Sequence, residues 1–140
     1  MRTIIIGLAI LLALVTAVFG QCGKTVVITS SKTDHVDAKG KLTKSFNEKV
    51  VIEISQATIG ISVDGQQKMT GKVTSYKCNW KTPFKKGKSV IDAVMTNREG
   101  DRKAIMTIEG KSGKIRVHFM MPDKPGDQVS IVADRFEAKS

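Results

Sequence analysis

The side chains best suited to hold a ligand are concentrated in one stretch, Tyr76-Lys77-Cys78-Asn79-Trp80-Lys81-Thr82-Pro83-Phe84-Lys85-Lys86-Gly87-Lys88. It contains the sole tyrosine, the sole tryptophan and one of the two cysteines. Tyr76, Trp80 and Phe84 offer ring faces for a planar or apolar molecule. Lys77, Lys81, Lys85, Lys86 and Lys88 supply cations for its anionic group. A plainer reading of the same residues has the aromatics closing one end of a β-structure while the lysines are simply solvated.

Other chemistry is poorly represented. His35 falls in a polar segment and His118 in an alternating one, and neither adjoins a nucleophile motif. The sequence has no Gly-x-Ser-x-Gly, no His-Glu-x-x-His and no phosphate loop, so no catalytic residue is assigned and an enzyme is not expected. Soft donors exist in His118, Met120, Met69, Met95, Met106 and Met121, but without a dense Met-x-x-Met or His-rich tract. Methionine is also an adaptable core filler, and no metal site or cofactor is expected.

The amino terminus sets the compartment. Met1-Arg2-Thr3 is followed by an almost wholly apolar run from Ile4 to Phe19, and Gly20 precedes the polar Gln21. This is the pattern of a secretory signal peptide over residues 1–20. The run is shorter than the roughly 20 apolar residues that span a bilayer. Residues 21–140 then form the mature chain, with no transmembrane segment, secreted or periplasmic. In such a compartment two cysteines point to one disulfide, Cys22–Cys78, tying the terminus to the lysine–aromatic stretch.

The formal net charge is +10, and it rests mainly on lysine, 18 residues against 5 arginines. Arginine is the usual residue for bidentate phosphate and base recognition. A lysine-rich chain on a secretory route fits loose attraction to an anionic lipid, polysaccharide or partner protein better than nucleic-acid reading.

The elements that must position these residues are short and alternating. Thr25–Thr29 is β-branched and reads as a first strand. Residues 30–40 are polar and read as a loop or edge hairpin, and 41–46 as a weak strand. Val50, Ile52 and Ile54 alternate with polar neighbours, as do Ile59, Ile61 and Val63. Asp64-Gly65 marks a hairpin turn, and residues 68–76 return as a strand. Further strands are expected at 89–96, 102–109, 114–121 and 128–136, with turns at 97–101, 110–113 and 122–126. No segment has a helical period. The pattern predicts an all-β, single-domain antiparallel meander of about eight or nine strands, barrel-like in preference to a sandwich. Closure would remove exposed edges.

The apolar leader, the meander and the Cys78-Asn79-Trp80 strand end together resemble small secreted bacterial proteins of lipocalin-like, up-and-down barrel character. The resemblance implies a barrel that carries a small ligand. The expectation is therefore a binding module for a small apolar or amphipathic anionic ligand near Trp80, with docking on an anionic surface as the alternative.

Overall fold

The computed structural model describes residues 21–140, and the signal-peptide assignment over residues 1–20 lies outside them. Nine strands follow a short turn of helix at Gln21–Gly23: β1 Val26–Val36, β2 Leu42–Ile54, β3 Thr58–Val63, β4 Gln66–Thr82, β5 Lys86–Asn97, β6 Gly100–Lys111, β7 Lys114–Met120, β8 Gln128–Val132 and β9 Arg135–Ala138. Each strand from β1 to β8 pairs antiparallel with the next, and β1 pairs back onto β8, so the meander closes. The result is an eight-stranded antiparallel barrel, with β9 added along the first half of β1.

The closed arrangement follows from the alternation. Val26 and Ile28 on β1, Val50, Ile52 and Ile54 on β2, Ile91, Ala93 and Met95 on β5, and Ala104, Met106 and Ile108 on β6 all face inward and are buried. β-Branched side chains suit this pleated, inward-packed surface. The tight turns carry the residues their geometry needs. Asp64-Gly65 has φ of 49° and 80° at its two positions, the left-handed pair of a two-residue hairpin turn. Asp64 also accepts the Lys49 N–H through Oδ1 at 2.9 Å, fastening the turn to β2.

Four elements differ from the sequence reading. Of the two readings of the polar segment after Ser30 the structure has the hairpin, though not at an edge: β1 runs to Val36 and pairs back with β2 inside a closed barrel. A bulge between Ser30 and Lys32 shifts the phase by one residue, which conceals the alternation. The two strands expected between residues 41 and 55 are one, β2. β4 continues to Thr82 and so includes most of the lysine–aromatic stretch. The last expected strand is broken at Ala133-Asp134, where Ala133 N–H still bonds Ile115 on β7 and Asp134 N–H bonds Thr29 on β1. That change of partner separates β8 from β9.

Because the strands alternate in direction, the connections fall at two ends. The β1–β2, β3–β4, β5–β6 and β7–β8 turns share one end. The remaining turns share the other with Gln21–Gly23.

Candidate functional site

The lysine–aromatic stretch lies at the end that holds the amino-terminal turn. On β4, Tyr76, Cys78 and Trp80 share their side of the ladder with buried Ile91 and Ser89 of β5. Cys78 is joined to Cys22 by the disulfide. Trp80 meets Phe136 edge-on, with ring centroids 5.5 Å apart, and Phe84 meets the same Phe136 at 5.0 Å. The indole presses on two glycines. A Cβ at Gly110 would lie 2.7 Å from Trp80 Cζ3, and one at Gly87 2.8 Å from Trp80 Cδ2. Gln21 is buried beside them and accepts the Phe84 N–H through Oε1.

This end is therefore filled by its own side chains; Trp80, Tyr76 and Cys78 meet at Ser89, while Gln21 Nε2 is buried without a partner among the described residues. Trp80 Nε1 donates to Ser89 Oγ at 2.8 Å, and Ser89 Oγ lies 3.4 Å from Cys78 Sγ. Burial pushes the Tyr76 phenol above its ordinary value, and a hydrogen bond with Ser89 draws it part of the way back. The structure thus brings Tyr76, Trp80 and Phe84 together, with Phe136 as the partner that sequence reasoning did not supply. Lys77, Lys81, Lys85, Lys86 and Lys88 are all exposed, outside this packing.

The opposite end is different. A cavity of about 200 Å³ opens inside the barrel, with walls from Ile52, Ile61, Met69, Met106, Val117 and Ile131 on six different strands among its lining. The polar lining consists of Thr33 and His35 on β1 and Glu48 on β2. Thr33 is only 6% exposed, and its Oγ1 has no hydrogen-bond partner. His35 is held at Nδ1 by Asp127 Oδ1, 2.9 Å away, and its ring stands edge-on to Phe46 at 5.4 Å. Phe46 and Leu42, near the outer end of β2, are 46% and 56% exposed, leaving apolar surface close to this end of the barrel. None of the five lysines of the stretch lines the cavity.

A larger hollow, about 580 Å³, lies across the outer surface of β2 to β5, where Glu53, Ser62, Thr70, Lys72 and Thr96 point outward. Val51, Ile59 and Val94 also line it, so its walls are mixed polar and apolar.

The chain matches no family model, no curated protein and no solved structure. The site must be judged on its own chemistry. Among the described residues no three His, Cys, Asp or Glu side chains converge as metal ligands. His118 Nε2 bonds Gln128 Oε1 at 2.7 Å, and Met69 and Met106 line the cavity, so the soft donors are dispersed. No helix among the described residues is long and apolar enough to cross a membrane.

Sequence reasoning missed Thr33, His35 and Glu48. Thr33 and His35 lie in the segment read as a loop or edge hairpin, where the bulge at Ser30–Lys32 displaced them from the phase set by Val26 and Ile28, and Glu48 falls in the gap between the two stretches read as strands. The one available indication was the two-residue spacing of Thr33 and His35 itself.

Proposed function

We propose that the protein is a non-enzymatic binding module whose barrel takes a small apolar or amphipathic molecule, and that the guest enters at the end opposite Trp80. The observation that carries this reading is the apolar cavity of about 200 Å³ within a closed barrel. Its size bounds the guest. An apolar cavity of roughly 150 Å³ holds benzene, whereas drug-sized ligands need about 300–1,000 Å³. A single ring or a short chain fits, and a haem or a long fatty acid does not. Met69 and Met106 supply flexible walls that adapt to shape. The disulfide supports an oxidising compartment, secreted or periplasmic.

The direct test is titration with toluene, followed through the methyl resonances of Met69 and Met106. Saturable shifts at both methyls are expected, and Val63→Phe, which fills the cavity from its wall, should remove them. Methyl resonances that ignore toluene and comparable single-ring probes would end this reading.

One observation favours a second reading, docking on an anionic surface. Lys77, Lys81, Lys85, Lys86 and Lys88 are exposed, and none belongs to an ion pair among the described residues. Unneutralised lysines at one end attract a polyanion through a field screened over about 10 Å at 0.1 M salt. Retention on an anionic matrix should then fall steeply with salt. It should largely vanish when Lys81, Lys85, Lys86 and Lys88 are all replaced by glutamine. Retention indifferent to that replacement would remove these lysines as the docking site.

A further inference from the structure

Three polar residues, Thr33, His35 and Glu48, stand in an otherwise apolar lining. Thr33 Oγ1 is buried without a partner. A buried hydroxyl in that condition is destabilising, and nearly all such groups in folded proteins find a partner. His35 Nδ1 donates to the Asp127 carboxylate, which only accepts, and Nε2 is the ring nitrogen left for a guest. Glu48 brings a carboxylate, an acceptor. Among the described residues no lysine or arginine lines the cavity to offset it. The lining therefore holds a hydroxyl, an imidazole and a carboxylate.

We infer that the cavity selects small apolar molecules bearing one hydrogen-bond donor, a hydroxyl or an amine, and rejects carboxylates. This rests on the reading that the cavity binds a guest at all. A donor on the guest gives the Thr33 oxygen the partner it lacks, while the apolar body replaces empty contact along Ile61, Met69 and Met106. A carboxylate guest would instead place its charge beside Glu48, with no lysine or arginine in the lining to offset the repulsion, which is costly. This assignment departs from the anionic ligand suggested by the lysines, because those lysines do not line the cavity.

Four single-ring probes of nearly equal size test it: toluene, benzyl alcohol, benzylamine and benzoate. Each is titrated against the full protein while the Met69 and Met106 methyls are followed. Benzyl alcohol and benzylamine should bind about fivefold tighter than toluene, the effect of one net hydrogen bond, and benzoate should bind at least about tenfold more weakly than benzyl alcohol. Thr33→Val keeps the shape and loses the hydroxyl. It should leave toluene affinity as it was and cancel the advantage of benzyl alcohol. It should also raise the denaturation midpoint of the free protein, because an unpartnered buried hydroxyl has been replaced by a methyl. Glu48→Gln should narrow the gap between benzylamine and benzoate. If toluene binds as tightly as benzyl alcohol, or benzoate binds best, the donor selection is wrong while the cavity still binds. If no probe perturbs the two methyls, the binding module itself fails, and this inference with it.

Discussion

The Trp80 indole hydrogen points at the hydroxyl of Ser89, 2.8 Å away on the neighbouring strand. Ser89 is 1% exposed, sits directly opposite Cys78 in the β4–β5 ladder and also bonds the Tyr76 phenol. One small hydroxyl thus accepts the indole hydrogen, meets the Tyr76 phenol and touches the disulfide. Ser89→Ala would leave the indole N–H without a partner, at about 1–3 kcal/mol. Urea denaturation followed by the fluorescence of the single tryptophan should show that loss. A midpoint equal to that of the unmodified protein would mean the indole finds another acceptor.

Tyr76 makes the stability depend on pH in the alkaline range. Its folded-state value lies above the ordinary 10.0, chiefly because burial disfavours the phenolate. The folded protein therefore holds its proton where the unfolded chain has begun to release it, so stability is full below about pH 10 and falls as pH rises through the folded value. Tyr76→Phe should flatten that part of the curve, leaving only the contribution of other groups. Identical alkaline slopes for the two proteins would contradict the burial of the phenol.

Gly110 was read from sequence as the start of a turn, yet it lies within β6 beneath Trp80. A methyl there would meet the Lys85 carbonyl oxygen at 2.5 Å as well as the indole, and the first of these is backbone. Gly110→Ala is expected to cost about 1–3 kcal/mol through overpacking. Gly60→Ala, whose nearest neighbour is the flexible end of Gln67 at 3.5 Å, should stay within about 0.5 kcal/mol. Thermal midpoints of the two variants give the comparison. Equal midpoints would show that the Trp80 end yields more readily than its packing implies.

The Cys22–Cys78 bond spans a sequence separation of 56. On the chain-entropy account, closing such a loop stabilises by about 4 kcal/mol. Replacing both cysteines by alanine should lower the denaturation midpoint accordingly. It should also shift the Trp80 emission as Gln21, no longer tethered through Cys22, loosens over Phe84. Toluene binding at the far end should survive in whatever fraction remains folded. Loss of that binding in the folded double variant would show that the two ends are coupled.

Much of the barrel was legible because its signals are local. Val50, Ile52 and Ile54 alternate cleanly, and Asp64-Gly65 declares its turn. Where the structure departed from the reading, the deciding contact lay far away in sequence. Gly110 is a glycine because Trp80 covers it, and Gly71 because Met95 occupies the space a side chain would need. Phe136 completes an aromatic cluster whose other members lie more than fifty residues earlier. Thr33 and His35 escaped notice because a one-residue register shift at the bulge moved them out of phase. Ring spacing and lysine density drew attention to residues 76–88, but neither property distinguishes an open mouth from a packed end.

The seam along β1 bears on how the chain reaches its final form. Every other ladder joins strands adjacent in sequence, whereas β1 meets β8 through three residue pairs and β9 through four, with Ser30 Oγ reaching the Val132 carbonyl across 102 residues. Hairpins with short connections form readily, and contacts between distant segments must wait for the entropy of a long loop to be overcome. Folding should therefore proceed through an open, curved sheet whose two free margins are β1 and the carboxy-terminal strands, and the zipping of that margin is the slow step. Until it happens each margin is a template for a second molecule. A chain interrupted before Gln128 would stay in that state, and strand exchange between copies is its natural failure.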